Sequence, residues 1–325
     1  MSEPLAYVNG EWMPHSEATI SIFDSAVMLG DCVTESTRTF NQEPFRLEDH
    51  VARLYRSMKV CRYDFDMPPD EMVALSHEVL DRNRQFYGPD EDMWLVHNIS
   101  RGGYPMSGDQ SGERVPTVML NTAPMDLTYW AEFYIHGCHA VTPPSRMMPA
   151  QSLDPKIKNR SRMAYTLAEL ETKLVDPRAQ GVLLDQDGYI TENKGGNFFL
   201  IQDGVVRTPR TLQALAGVTR QTTLEIADDL GIPTQVRDLQ PYDAYTADEA
   251  FFTSTPYCIM PATMFNGLPV GDGKVGPVTI RLLEGWAKLT GVDVVEQAMS
   301  QLDEAERDRI VTERPNWWQR RRAGD

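Results

Sequence analysis

Three dipeptide steps ending in glycine constrain this chain more than any other feature: Asn9-Gly10 in AYVNGEWM, and Asp187-Gly188 and Asp203-Gly204 in GVLLDQDGYITENKGGNFFLIQDGVVRTP. Each stands between extended arms. Asn-Gly and Asp-Gly supply the two positive-φ residues that a tight hairpin turn requires, so antiparallel β-structure is predicted in both halves. Between the hairpins the period changes. CVTESTRTFNQEPFRL alternates as a strand does, with Asn41-Gln42-Glu43-Pro44 as its turn, and a period of two puts Thr34, Ser36 and Arg38 on one face. LEDHVARLYRSMKVC repeats apolar residues at positions 47, 51, 54 and 58, and PPDEMVALSHEVLDRNRQF opens on prolines and acids before a second periodic run. Both read as amphipathic helices. MWLVHNIS and PTVMLNTAP are further strands, separated by the polar RGGYPMSGDQSGERV. On MWLVHNIS the alternation leaves open which set faces inward, Val96 with Asn98 or Trp94 with the neighbours of His97.

Periodicity fails over TAPMDLTYWAEFY, which places a domain boundary there. The expectation is an α+β chain with a small domain over 1–121, a connecting loop over 122–134 and a larger domain over 135–325. With 325 residues, 41% of them hydrophobic, two modest cores are within reach. The second half adds a helix from about residue 161, whose Met163, Leu167, Leu170 and Leu174 recur at helical spacing and predict an apolar face. GVTRQTTLEIADDLGI and GPVTIRLLEGWAKLTG are predicted helices, and EAFFTSTPYCIMPATMFNG a strand.

The charge balance excludes some partners. With 31 Lys and Arg against 47 Asp and Glu, the net charge of −16 repels nucleic-acid backbones and anionic membranes. The basic, aromatic RPNWWQRRRAGD reads as a solvated terminus. Cys32, Cys61, Cys138 and Cys258 form no short pair, so reduced thiols are expected. No basic segment followed by an apolar run opens the chain, and no stretch approaches a membrane span, which predicts a cytoplasmic protein. His50 and His97 lack metal-spaced partners and read as packing residues, so no metal site is expected.

The chemistry centres on AQSLDPKIKNRSRMAYTLAELETKL. Its two lysines, Lys156 and Lys158, precede the helix, and an amine withdrawn from water near the positive end of a helix dipole has a lowered pKa, as a nucleophilic lysine needs. Spacing alone leaves both lysines open. Five segments taken together carry more information: FRLEDHVARL, IKN, ITENKGGNFFLIQDG, LAGVTRQT and FFTSTPYCIMPAT, in that order between residues 45 and 263. In this set and order the chain resembles the class IV pyridoxal-phosphate aminotransferases.

That resemblance implies a fold-type IV enzyme, with a small α/β domain, a larger pseudobarrel domain, pyridoxal 5'-phosphate as cofactor, and a homodimer. It implies Lys158 as the lysine that carries the cofactor and shuttles the proton. Glu192 is implied as partner of the pyridine nitrogen, and Arg53, Val218, Thr219 and Thr255 as the phosphate side. Val218 and Thr219 open a helix, where unsatisfied N–H groups form an anion site. Where many relatives have glycine after that glutamate, this chain has Asn193 and Lys194, and Met163 stands where branched-chain enzymes place a tyrosine. Arg162 or Tyr165 is then the expected contact to the cofactor's phenolic oxygen. For the substrate, Thr34, Ser36, Arg38 and Asn98 are expected in the pocket, with Arg38 as the carboxylate clamp. The expected reaction is ping-pong amino transfer from an amino acid or primary amine to a 2-oxo acid, with branched-chain L-amino acids first. The alternatives are (R)-amine or D-amino-acid transamination, a lyase resembling aminodeoxychorismate lyase, and a non-catalytic cofactor-binding protein.

Overall fold

A computed structural model describes residues 3–106, 114–312 and 317–319. Residues 107–113 of the polar loop and most of the basic tail lie outside the described residues. The chain forms two compact units, one of Met1–Met125 with Ile157–Arg162, the other of Asp126–Lys156 with Met163–Asp325. This corrects the expected boundary. Residues 122–134 are no loop: a strand runs to Pro124, and Thr128–His136 is a helix. That helix buries Ala131, Phe133, Tyr134, Ile135 and His136, and a helix buried on most sides shows no apolar stripe for a periodicity argument to find.

The first unit is built from β1 (Leu5–Val8), β2 (Glu11–Pro14), α1 (Ser25–Leu29), β3 (Cys32–Phe40), β4 (Glu43–Pro44), α2 (Leu47–Val60), α3 (Pro69–Asn83), β5 (Met93–Ser100) and β6 (Thr117–Pro124). Its six strands pair antiparallel in the order β2-β1-β6-β5-β3-β4. The Asn9-Gly10 turn forms as expected, with φ of 50° and 94°. The turn after β3 is shorter than expected: Asn41 and Gln42 make it at positive φ, and Glu43-Pro44 already belong to β4. Leu47, Val51, Leu54 and Met58 of α2 are all buried. At roughly 1.5–3 kcal/mol per buried side chain, this stripe outweighs the helix's weak intrinsic preference and fixes it on the sheet. Leu95, His97, Ile99 and Leu120 are buried on the helix side. Register pairs Arg38 with Trp94, Ser36 with Val96 and Thr34 with Asn98, so these six share the other face and the open alternation is resolved.

The second unit contains α4 (Thr128–His136), β7 (Cys138–Val141), α5 (Met163–Val175), β8 (Gln180–Gly181), β9 (Asn197–Gln202), β10 (Val205–Thr208), α6 (Val218–Asp229), β11 (Thr234–Val236), α7 (Pro241–Tyr245), β12 (Glu249–Ser254), β13 (Cys258–Phe265), β14 (Leu268–Pro269), α8 (Pro277–Thr290), α9 (Val294–Ser300) and α10 (Glu304–Thr312). Strand order is β11-β10-β9-β12-β13-β7-β8, with β14 on β13, and three of the pairings are parallel. The expected single strand over EAFFTSTPYCIMPATMFNG is two, β12 and β13, turned at Thr255-Pro256-Tyr257. A hairpin about Asp187-Gly188 takes Val182 N to Val141 O at 2.8 Å on one side and bridges Glu192 to Asn197 of β9 on the other, curling the sheet toward itself as a pseudobarrel requires. NFFLI in β9 is buried throughout, the signature of a strand covered on both faces, and Phe199 stacks on Phe251 at 4.8 Å.

Helix α5 carries the expected apolar stripe and turns it outward. Met163, Leu167, Leu170 and Leu174 are 79%, 53%, 59% and 88% exposed, whereas Ala168 and Thr172 are buried. The small-residue face packs inward because the neighbouring backbone is close: a Cβ on Gly181 would stand 2.7 Å from Thr172 Oγ1.

Candidate active site

Lys158 belongs to the first unit and is held there by backbone. Thr34 N donates to Lys158 O at 2.9 Å, Arg160 N donates to Cys32 O at 2.9 Å, and Val33 bridges Asn159. Residues 158–160 thus add a short antiparallel segment to β3. Lys158 N also approaches Ser57 Oγ of α2 at 3.4 Å. Burial, with Arg53, Arg162 and Arg160 adding to it and Glu35 opposing, pushes the Lys158 amine down from 10.5 to about 8. Lys156, in contrast, is exposed and paired with Asp154 at 2.9 Å.

Arg53 lies on α2 beneath β3, where Glu35 grips it from both sides: Nε to Oε2 is 2.8 Å and an Nη to Oε1 is 2.7 Å. His50 Nδ1 is 3.1 Å from the same Oε1. Burial would raise the Glu35 carboxyl, but Arg53 and His50 outweigh it and hold the group well below its ordinary 4.5. Burial lowers His50 against the pull of Glu35, and pushes His97 down to about 4; His97 Nε2 meets Ser76 Oγ of α3 at 2.7 Å. Sequence reasoning passed over Glu35. Its signal was present, because a charged residue alternating with Thr34 and Ser36 must face the helix that carries His50 and Arg53.

Arg38, the expected carboxylate clamp, is engaged within its own unit. Arg38 is buried, its Nη 3.4 Å from Asp92, its Nε 3.1 Å from Thr39 O, and its guanidinium 4.0 Å above the Phe40 ring. Asp92 also takes Thr39 Oγ1 at 2.7 Å and Gln42 N at 3.0 Å. Arg38 therefore braces the β3–β4 turn. Alternation gave its face, but could not show that an aspartate just before β5 shares it. Thr34 donates to His97 O at 2.7 Å, and Ser36 N donates to Glu35 at 2.9 Å. Asn98 accepts from Arg160 Nε at 2.7 Å.

In the second unit Glu192 is buried and accepts from Tyr165 Oη at 2.9 Å, Leu215 N at 2.8 Å and Asn197 Nδ2 at 3.3 Å. Tyr165 thus meets the glutamate, where a contact to a phenolic oxygen was expected. Asn197 Nδ2 also donates to Leu215 O at 2.9 Å, tying Glu192 to the approach to α6. Among the described residues no side chain caps α6, so the N–H groups of its first residues, Val218 and Thr219, remain for an anion. Gly217, just before them, cannot be replaced without movement, because a Cβ there would stand 2.2 Å from Asn197 Oδ1. Thr255 lies half-buried in the turn between β12 and β13. A buried carboxylate oriented by hydrogen bonds and an uncapped helix start fit a protonated pyridine ring and a phosphate; a lysine of lowered pKa fits a carbonyl partner.

The model of the family described as "Amino-transferase class IV" matches residues 32–265. A putative branched-chain-amino-acid aminotransferase of Methanocaldococcus jannaschii is 29% identical over 86% of this chain and 93% of its own length. The branched-chain-amino-acid aminotransferase of Escherichia coli K12 is 27% identical, over 86% of this chain and 91% of its own. Among solved structures, a T.th. branched-chain amino acid aminotransferase complexed with N-(5'-phosphopyridoxyl)-L-glutamate aligns with a TM-score of 0.79 at 29% identity, covering 93% of this chain and 98% of that one.

Proposed function

Because the chain belongs to the class IV aminotransferases, we propose that it transfers the amino group of branched-chain-type L-amino acids to a 2-oxo acid with pyridoxal 5'-phosphate as cofactor, acting as a homodimer. The observation that carries this reading is the Lys158 amine, pinned by its backbone and lowered to about 8. The solved relative named above supports the substrate class and the cofactor. When bound, pyridoxal phosphate supplies a carbonyl carbon on which amino groups exchange and a ring that takes up the electrons released at the substrate Cα.

The residues divide the remaining work. Lys158 would hold the cofactor through its amine and, with that amine free, would accept the substrate Cα proton and give it back. A base with a pKa near the working pH keeps enough neutral form to accept the proton and enough acidity to give it back. Glu192, oriented by Tyr165, Asn197 and Leu215 N, offers its carboxylate to the pyridine nitrogen. Val218 and Thr219 N–H groups, the Thr255 hydroxyl and Arg53 receive the phosphate, with Glu35 fixing the guanidinium plane of Arg53. Borohydride reduction of the holoenzyme followed by peptide mapping is expected to find the cofactor on Lys158. A reduced adduct on Lys156 would remove the assignment.

The homodimer is supported by apolar surface on each unit. On α5 the row Met163, Leu167, Leu170 and Leu174 is exposed, as are Ile22, Phe23, Val27 and Leu29 around α1. Contiguous apolar surface of this kind marks an association face. The double variant Leu167→Glu, Leu174→Glu is expected to weaken self-association about hundredfold, since each leucine contributes roughly 1.5 kcal/mol or more on burial. Light scattering across a dilution series reads this directly, and an unchanged dimer would place the interface elsewhere.

A further inference from the structure

We propose that Arg160, aimed by Asn98, is the cation that receives the substrate carboxylate; the proposal rests on the aminotransferase reading and names the residue that selects its substrates. Arg160 is two residues from Lys158 in the extended segment paired with Cys32–Thr34. In extended backbone, residues two apart project to the same side. A group bound there is therefore within reach of both the reacting amine and the guanidinium.

The state of that guanidinium sets it apart from three arginines nearby in the same unit. Arg38 is paired with Asp92, Arg53 with Glu35 and Arg101 with Asp31. Arg160 has no carboxylate within ion-pair distance among the described residues; its Nε donates to the neutral Asn98 amide at 2.7 Å. This single bond fixes the plane of the group and consumes only one donor edge. The terminal edge, with its two parallel N–H groups, is the one that matches a carboxylate bidentately. An oriented, un-neutralised cation beside Lys158 also carries a cost, because it repels the protonated amine. An incoming carboxylate removes that repulsion. Asn98 is thus a positioning residue, and the two together replace the Arg38 clamp.

The test uses the holoenzyme and 4-methylvalerate, a carboxylate without an amino group, with binding measured by calorimetry. Arg160→Ala is expected to weaken this binding by about tenfold or more, the effect of losing a charge-assisted pair. Arg160→Lys, which keeps the charge and loses the fork, is expected to fall between, and Asn98→Ala to weaken binding with Arg160 still present. The kcat/KM ratio of L-leucine to 3-methylbutylamine should fall by the same factor in Arg160→Ala, a ratio in which any change at Lys158 cancels. Reduction onto Lys158 and circular dichroism identify a misfolded variant, in which case Arg160→Lys and Asn98→Ala decide. Binding within about twofold of wild type in Arg160→Ala, or equal losses for both amines, overturns the proposal. If the wild-type protein deaminates no amino acid, the aminotransferase reading falls, while 4-methylvalerate binding still decides the role of Arg160.

Discussion

Alanine at Lys158 lowers the half-reaction with L-leucine by about 10⁴-fold or more. General acid–base catalysis by a positioned group contributes up to about that factor, and the variant also loses covalent attachment. Stopped-flow absorbance of the bound cofactor reads the rate, and added methylamine is expected to restore part of it as an external base. The pH dependence follows from the lowered amine. Neutral lysine is the reactive form, so the rate of proton removal levels off above about pH 8 and falls about tenfold per unit below it. Removing Arg160 or Arg162 relieves repulsion of the protonated amine and moves this limb to higher pH. A Lys158→Ala enzyme within about tenfold of wild type would show that another group removes the proton.

Glu35→Ala costs about 3–5 kcal/mol of stability, the effect of stripping one partner from a buried ion pair and leaving the other uncompensated. Arg53 loses both of its bonds to the carboxylate, and His50 loses one. Because the native Glu35 carboxyl lies below its unfolded value of 4.5, its stabilisation is present in full above that pH and is lost as pH falls through the lowered native value. Urea titrations at neutral pH should therefore separate wild type from variant by the full amount, and the gap should narrow in acid. Affinity for pyridoxal phosphate, measured separately, is expected to fall as the Arg53 plane is released. A loss under about 1 kcal/mol with unchanged cofactor affinity would make Glu35 a bystander.

Much of this was legible because the determining interactions are local. A positive-φ pair writes itself as Asn9-Gly10 and Asp203-Gly204, whereas at Asp187-Gly188 only the glycine takes positive φ, and the α2 stripe is a count of residues along one helix. Glu192 was found through the segment that also contains Asn197, its partner five residues on. What escaped depends on contacts distant in sequence. The partner of Arg38 is an aspartate reached only when β3 and β5 come into register. Helix α4 buries Ala131 and residues 133–136, and so displays no single apolar stripe. For α5 the periodicity correctly found a stripe of leucines, yet a stripe does not say whether its complement lies in the same chain. The two units interleave for a related reason: residues 157–162 return to β3, and a linear reading cannot return to an element it has already left.

That return has a consequence for the order of synthesis. The outer side of β3 at Cys32–Thr34 is completed by residues that leave the ribosome only after the first unit's other strands. Until then the nascent chain presents a bare strand margin, the kind of edge that recruits other chains. A truncated protein ending near Met125 would keep that margin permanently, and would aggregate more readily than one carried through to Arg162.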